Sequence, residues 1–276
     1  VTSVRDMGSD NDALNDTRTG IARGEIAGPR IHPTGFIEGR SPYSARMGFV
    51  VDDLAAARRA VDWYAARGYR QIKLYNSIRP DWVPPLVAHI KSRGLRVSGH
   101  IPAFMRAGQA VREGYDEVNH INQVLLNFVS RPGDDSRTLL RFTRVGEDAG
   151  RLDLHGAPVR NFIKLLRVRG TVVDPTLATF EAMYTQAQGE PDPGFADIAE
   201  HLPVAWRRGL KRATMDLDGD KLKRYRASYS RMLGLVRLMH DSGVKLVAGT
   251  DGFPGALVLQ RELELYVRAG LRPAHV

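Results

Sequence analysis

The chain is punctuated by one repeated pattern: an amphipathic helix, a glycine, then a short β-branched or apolar run. Leu54, Ala57, Val61 and Tyr64 fall at helical spacing, and Gly68 stops that helix before Gln71–Tyr75 (QIKLY). Pro84-Pro85 opens the next helix, which Gly94 closes ahead of Leu95–Ser98 (LRVS). Gln109–Arg112 precedes Gly114 and the run Asp116–Asn119 (DEVN), and Val159–Val168 precedes Gly170 and Thr171–Asp174 (TVVD). Tyr229, Met232, Leu233, Val236 and Met239 mark a longer helix, ended by Gly243 before Val244–Ala248 (VKLVA). A last helix, Leu257–Arg268, ends at Gly270. With Val1–Arg5 and Arg30–Ile37 (RIHPTGFI) near the start, seven strands are expected. Several are apolar on both faces, as a strand buried in a parallel sheet must be. The expected class is therefore α/β, with parallel strands and crossover helices. A closed (β/α)8 TIM barrel takes eight strands. Seven leave either an open sheet or a barrel lacking its first βα unit, and Val1, already in a strand, favours the second.

Composition narrows the chemistry. Its 276 residues suit one large α/β domain over 1–276. No apolar run approaches the ~18 residues of a membrane helix. The chain has no cysteine, so any metal must be held by His, Asp, Glu or a modified Lys. The net charge of +9 raises nucleic acid as a partner. The excess, however, is mostly arginine scattered singly along helices (Arg112, Arg160, Arg167), with no dense basic run interleaved with aromatics. Neither a nucleic-acid nor a membrane partner is expected; homo-oligomerisation and compartment are left open. Two stretches break the rhythm as insertions, at about 130–156 (polar, rich in Gly and Asp) and 186–223 (with PDPG at Pro191–Gly194).

Four polar residues stand where apolar strands end. Lys73 lies inside QIKLY, His100 follows RVSG, His120 follows EVN, and Asp251 follows KLVAGT. The C-terminal edge of the strands is where α/β barrels place their sites. The spacings from Lys73 to His100 and on to His120 are those of consecutive βα units. Taken singly, each histidine could cap a helix or fill a core, and Asp251 could be a turn aspartate. Lys73 between Ile72 and Leu74 is harder to dismiss, because a buried ammonium needs a partner or a modification.

These residues sit in segments that resemble the amidohydrolase superfamily, in particular its imidazolonepropionase-like and Xaa-Pro dipeptidase-like members. The segments are GPRIHPTGFIEG (Gly28–Gly39), IKLYNS (Ile72–Ser77), GHIPAF (Gly99–Phe104), VNHINQ (Val118–Gln123), AGTDGFPG (Ala248–Gly255) and RELELYVRAGLRPAHV (Arg261–Val276). The resemblance implies an eight-stranded barrel holding one or two divalent metal ions, often zinc. It implies metal ligands at Lys73 (carboxylated by CO₂ and bridging), His100, His120 and Asp251, with Asp251 also the general base. It further implies that the chain lacks the first βα unit and the small β-sandwich domain. The family's first strand supplies a His-x-His pair that this sequence does not contain, and His32 stands alone in its run.

The resemblance implies a metal-dependent hydrolase that cleaves a C–N bond of amide or peptide type in a small-molecule or dipeptide-like substrate. Two alternatives stay open: a mononuclear cyclic-amide (imidazolone-type) hydrolase, and a basic binding barrel without catalysis. A deaminase of the superfamily usually adds a glutamate soon after the strand-five histidine, and here no acid follows His100 until Glu113. Arg5, Tyr43, Tyr75, Asn122 and the 186–223 insertion are candidates for substrate contact.

Overall fold

The structure is a computed structural model that describes residues 1–252 and 255–276. The chain divides into two compact units, Val1–Val118 with Pro132–Thr138, and Asn119–Arg131 with Leu139–Val276.

In the first unit β1 (Ser3–Asp6) pairs in parallel with β2 (Arg30–Pro33). A four-stranded sheet follows, built from β3 (Gly35–Gly39), β4 (Phe49–Val51), β5 (Gln71–Leu74) and β6 (Arg96–Gly99), in the order β4-β3-β5-β6 and parallel throughout. Between them run helices Leu54–Ala66 and Val83–Ser92, and Ala107–Glu113 follows β6. Asp53 caps the first of these by accepting the Ala56 N–H at 2.6 Å, and its face Ala57, Ala60, Val61, Tyr64 is buried. All four residues of β5 are buried, as a central parallel strand requires. β5 pairs Lys73 with Phe36 on one side and Ser98 on the other. Gly99 closes β6 at φ +128°, where a Cβ would overlap the Leu74 carbonyl oxygen, so only glycine fits.

The single strand expected over Arg30–Ile37 is two. Pro33 has no N–H to continue a ladder; the Thr34 N–H makes a last bond to β1 at the Asp6 carbonyl, and from Gly35 the chain pairs with β5 instead. β4 was not expected; three residues followed by Asp52-Asp53 are too short to show a period.

β7 (Glu117–Asn119) leads the chain into the second unit. There helices Ile121–Val129, Leu140–Asp148 and Ala157–Arg169 precede β8 (Val172–Asp174). Helix Leu177–Thr185, the long helix Gly219–Asp241 and helix Gly255–Arg268 complete it. The core is aromatic: Tyr184 and Tyr225 are fully buried with ring centres 5.4 Å apart. The strand expected at Val244–Ala248 is reduced to one parallel bridge, Val173 to Leu246. Among the described residues there are thus eight strands, not the seven expected. Ser130–Gly156 is more ordered than its polarity suggests, since helix Leu140–Asp148 buries Val145 and Gly146. No described helix is long and apolar enough to cross a membrane.

Candidate active site

Of the four residues singled out in the sequence, Lys73 and His100 lie in the first unit, and His120 and Asp251 in the second. In the first unit Lys73 is 6% exposed and His100 5%. The Tyr75 ring meets both: Lys73 Nζ lies 5.6 Å from its centre, and the His100 ring 3.9 Å from it. His100 is fixed from three sides. Its backbone N–H donates to the Leu74 carbonyl at 3.0 Å, its carbonyl accepts the Tyr115 hydroxyl at 3.3 Å, and its Nδ1 lies 2.9 Å from Asn76 Oδ1. With Asn76 Oδ1 as acceptor, Nδ1 carries the ring proton and Nε2 the lone pair.

The second unit repeats this arrangement. The His120 backbone N–H donates to the carbonyl of Asp174, the last residue of β8, at 2.7 Å, and Nδ1 lies 2.8 Å from Thr176 Oγ1. His120 is 6% exposed. Its Nδ1 is also 3.8 Å from Asp251 Oδ2, beyond hydrogen-bond reach. The Thr179 hydroxyl steadies the Asp251 turn by donating to the Thr250 carbonyl at 3.0 Å. Gly249 makes the close approach possible, because a Cβ there would overlap the Asp174 carboxylate.

Backbone strain marks the same places. Among the described residues four non-glycines have positive φ: Phe104 (67°), His120 (70°), Thr176 (48°) and Asp251 (38°). Two are candidate ligands, one is the partner of His120, and one ends the GHIPAF segment that begins beside His100. Left-handed backbone in β-branched or bulky residues costs of order 1–3 kcal/mol and concentrates at functional sites.

Among the described residues no three His, Asp or Glu side chains are gathered as one cation site. Each unit by itself holds donor types that a zinc-type ion accepts: a buried imidazole and a buried lysine in the first, and in the second a buried imidazole with a carboxylate 3.8 Å away. Beside His120, Asn122 Oδ1 and Gln123 Nε2 are buried with no hydrogen-bond partner among the described residues. The Phe253-Pro254 part of AGTDGFPG lies outside the described residues.

Of the residues weighed for substrate contact, Arg5 holds the buried Glu117 through two bonds of 2.6 and 2.8 Å, a structural ion pair. Tyr75 packs on His100, and Tyr43, half exposed, lies under the Arg137 guanidinium. Asn76 and Thr176 were not singled out in the sequence. Asn76 sits inside IKLYNS, but its role shows only once β5 and β6 are side by side. Thr176 carries no signal beyond following Asp174-Pro175.

Glu38, at the end of β3, is fully buried and accepts the N–H groups of Ser77 (2.7 Å) and Gly39 (3.0 Å). Burial pushes its pKa up to about 7 against those hydrogen bonds.

No protein-family model matches the chain. No curated protein matches it either. Solved structures do. Bottromycin amidohydrolase is similar over 99% of this chain and 58% of its own, at 22% identity and a TM-score of 0.65. A. niger ochratoxinase is similar over 99% and 57%, at 17% identity and 0.59. A Xaa-Pro dipeptidase with bound methionine in its active site is similar over 98% and 60%, at 17% identity and 0.57. The chain spans about three-fifths of the length of each of these. Along nearly its whole length, then, this chain has the fold of solved amidohydrolases and dipeptidases.

Proposed function

We propose that the chain folds as a barrel of (β/α)8 type and serves a metal-dependent hydrolase that cleaves a C–N bond of amide or peptide type. The observation that carries this reading is the repeated histidine arrangement: His100 and His120 each directly follow a strand and hold Nδ1 on a neighbouring side-chain oxygen. That is how metal-binding histidines are oriented, their second nitrogen left as the ligand atom.

Lys73 as its carbamate, His100, His120 and Asp251 would hold one or two divalent ions, zinc suiting this donor set. When bound, such an ion supplies a Lewis acid for the scissile carbonyl and brings the pKa of water down to ~7. The protein's own part is orientation and proton transfer. Asn76 and Thr176 set the ring planes of His100 and His120. Asp251 takes a proton from the attacking water and returns it to the departing amine, which neutralises the leaving group. Half exposed, Asp251 is open to solvent for this exchange.

The test is hydrolysis of a panel of dipeptides and N-acyl amino acids by the purified protein, before and after chelation. Activity lost to the chelator, restored by zinc, and lowered about 10²–10⁴-fold in Asp251→Asn supports the reading. Activity indifferent to chelation, or unchanged in Asp251→Asn, refutes it.

A further inference from the structure

The second unit contains a cavity of about 190 Å³ with Asp251 on its edge. Ala182, Phe195 and Val258 give it an apolar wall, and Asp192 and Arg261 are its other charged lining residues. Its size suits one amino-acid side chain and is too small for a large ligand.

The charge on its wall is not balanced as the residue names suggest. Arg261 is already committed: it grips Glu181 through bonds of 2.7 and 2.8 Å and reaches Glu264 at 2.8 Å. Glu181 is 2% exposed and also takes Arg268 at 3.0 Å. The Arg261 charge is thus offset within the wall. Among the described residues Asp192 makes no ion pair, and it feels the Arg261 charge only at longer range. Its carboxylate accepts the Gly194 N–H at 2.8 Å and lines the cavity together with Ala182 and Phe195. Burial first, and then the nearby Glu181, hold its carboxyl above the usual carboxylate range against the Gly194 hydrogen bond and the Arg261 charge. An ammonium entering the cavity would reverse that, because it favours the ionised carboxylate.

We propose that this cavity is a specificity subsite that takes a primary amine on a short apolar stem, with Asp192 as its anchor and Ala182, Phe195 and Val258 around the stem. The inference deepens the proposed hydrolase reading, since it makes the cavity the substrate pocket beside the proton-transferring Asp251. A basic side chain, or a free amino terminus on an aliphatic residue, is the substrate group of that chemistry. An acidic group is disfavoured by both carboxylates.

The test is equilibrium binding with nothing to hydrolyse, so that it stands apart from turnover. The purified protein, methyl-labelled at alanine and valine, is titrated by NMR with n-butylammonium and separately with n-pentanoate. Butylammonium is expected to shift the Ala182 and Val258 methyl signals in a saturable way, with pentanoate at least tenfold weaker. Asp192→Asn is expected to weaken butylammonium tenfold or more, and Ala182→Leu, which fills the cavity from another element, to do the same. Pentanoate binding as tightly as butylammonium, or both variants binding it like the unaltered protein, overturns the proposal. A protein that hydrolyses amides but gives either of those results loses this subsite and keeps its reaction.

Discussion

Asn76 and His100 face each other across neighbouring strands, Oδ1 to Nδ1 at 2.9 Å, each just beyond the end of its own strand. The bond fixes which ring nitrogen of His100 bears the proton. Asn76→Leu removes the acceptor and leaves the ring free to turn. Zinc affinity is expected to fall about 10–100-fold while the fold is retained. Competition against a chromophoric chelator measures it, and unchanged affinity would remove Asn76 from the site.

Thr176 combines two effects that substitution separates. It is a β-branched residue at φ 48° and the partner of His120 Nδ1. Thr176→Gly relieves the backbone and loses the hydroxyl; Thr176→Val keeps the strain and loses it too. Both variants are expected to bind zinc about 10–100-fold more weakly. Only Thr176→Val should also melt lower than the parent, while Thr176→Gly stays within about 1 kcal/mol of it in urea unfolding. Equal destabilisation of the two would show that the left-handed backbone stores no strain.

Gly99 is the tightest backbone approach next to the candidate ligands. At φ +128° and against the Leu74 carbonyl, Gly99→Ala is expected to cost about 3 kcal/mol. Gly68, also left-handed (φ +75°) but with nothing within 4 Å, is the control, and Gly68→Ala should cost about 1 kcal/mol. Urea midpoints compare them, and equal costs would mean that the crowding at Gly99 relaxes away.

Glu38 gives the fold a pH dependence. Its carboxyl is raised from 4.5 to about 7 by burial, so between those values the folded chain holds a proton that the unfolded chain releases. Stability from this group therefore falls as pH rises from about 4.5 to 7, by on the order of 3 kcal/mol. Glu262, raised by burial to about 7 as well, adds a slope of the same sign. Glu38→Gln should flatten part of the decline in unfolding free energy between pH 5 and 8, and an unaltered slope would contradict the assignment.

The ladder of helix, glycine and short strand could be read from the sequence because each glycine ends a helix in a conformation other residues avoid. Gly94, Gly114 and Gly170 all stand at positive φ between a helix and the next strand. Lys73, His100 and His120 were visible because polar residues interrupt or end otherwise buried strands. What escaped depended on contacts distant in sequence or on very short elements. Thr176 is paired with His120, fifty-six positions away, and nothing near it announces that. The division of RIHPTGFI between two sheets follows from where the chain finds partners, not from its own period. Asp192 and Arg261 were not singled out in the sequence, since the Arg261–Glu181 pair joins positions eighty apart.

The central claim is that His100 and His120 both ligate a metal ion. Zinc K-edge X-ray absorption on the zinc-loaded protein, beside a His100→Ala/His120→Ala double variant, tests it most directly. The account predicts imidazole scattering from two histidines at about 2.0–2.1 Å in the parent, and its loss in the variant. A parent that retains no zinc, or a variant with the same imidazole signal, would contradict it.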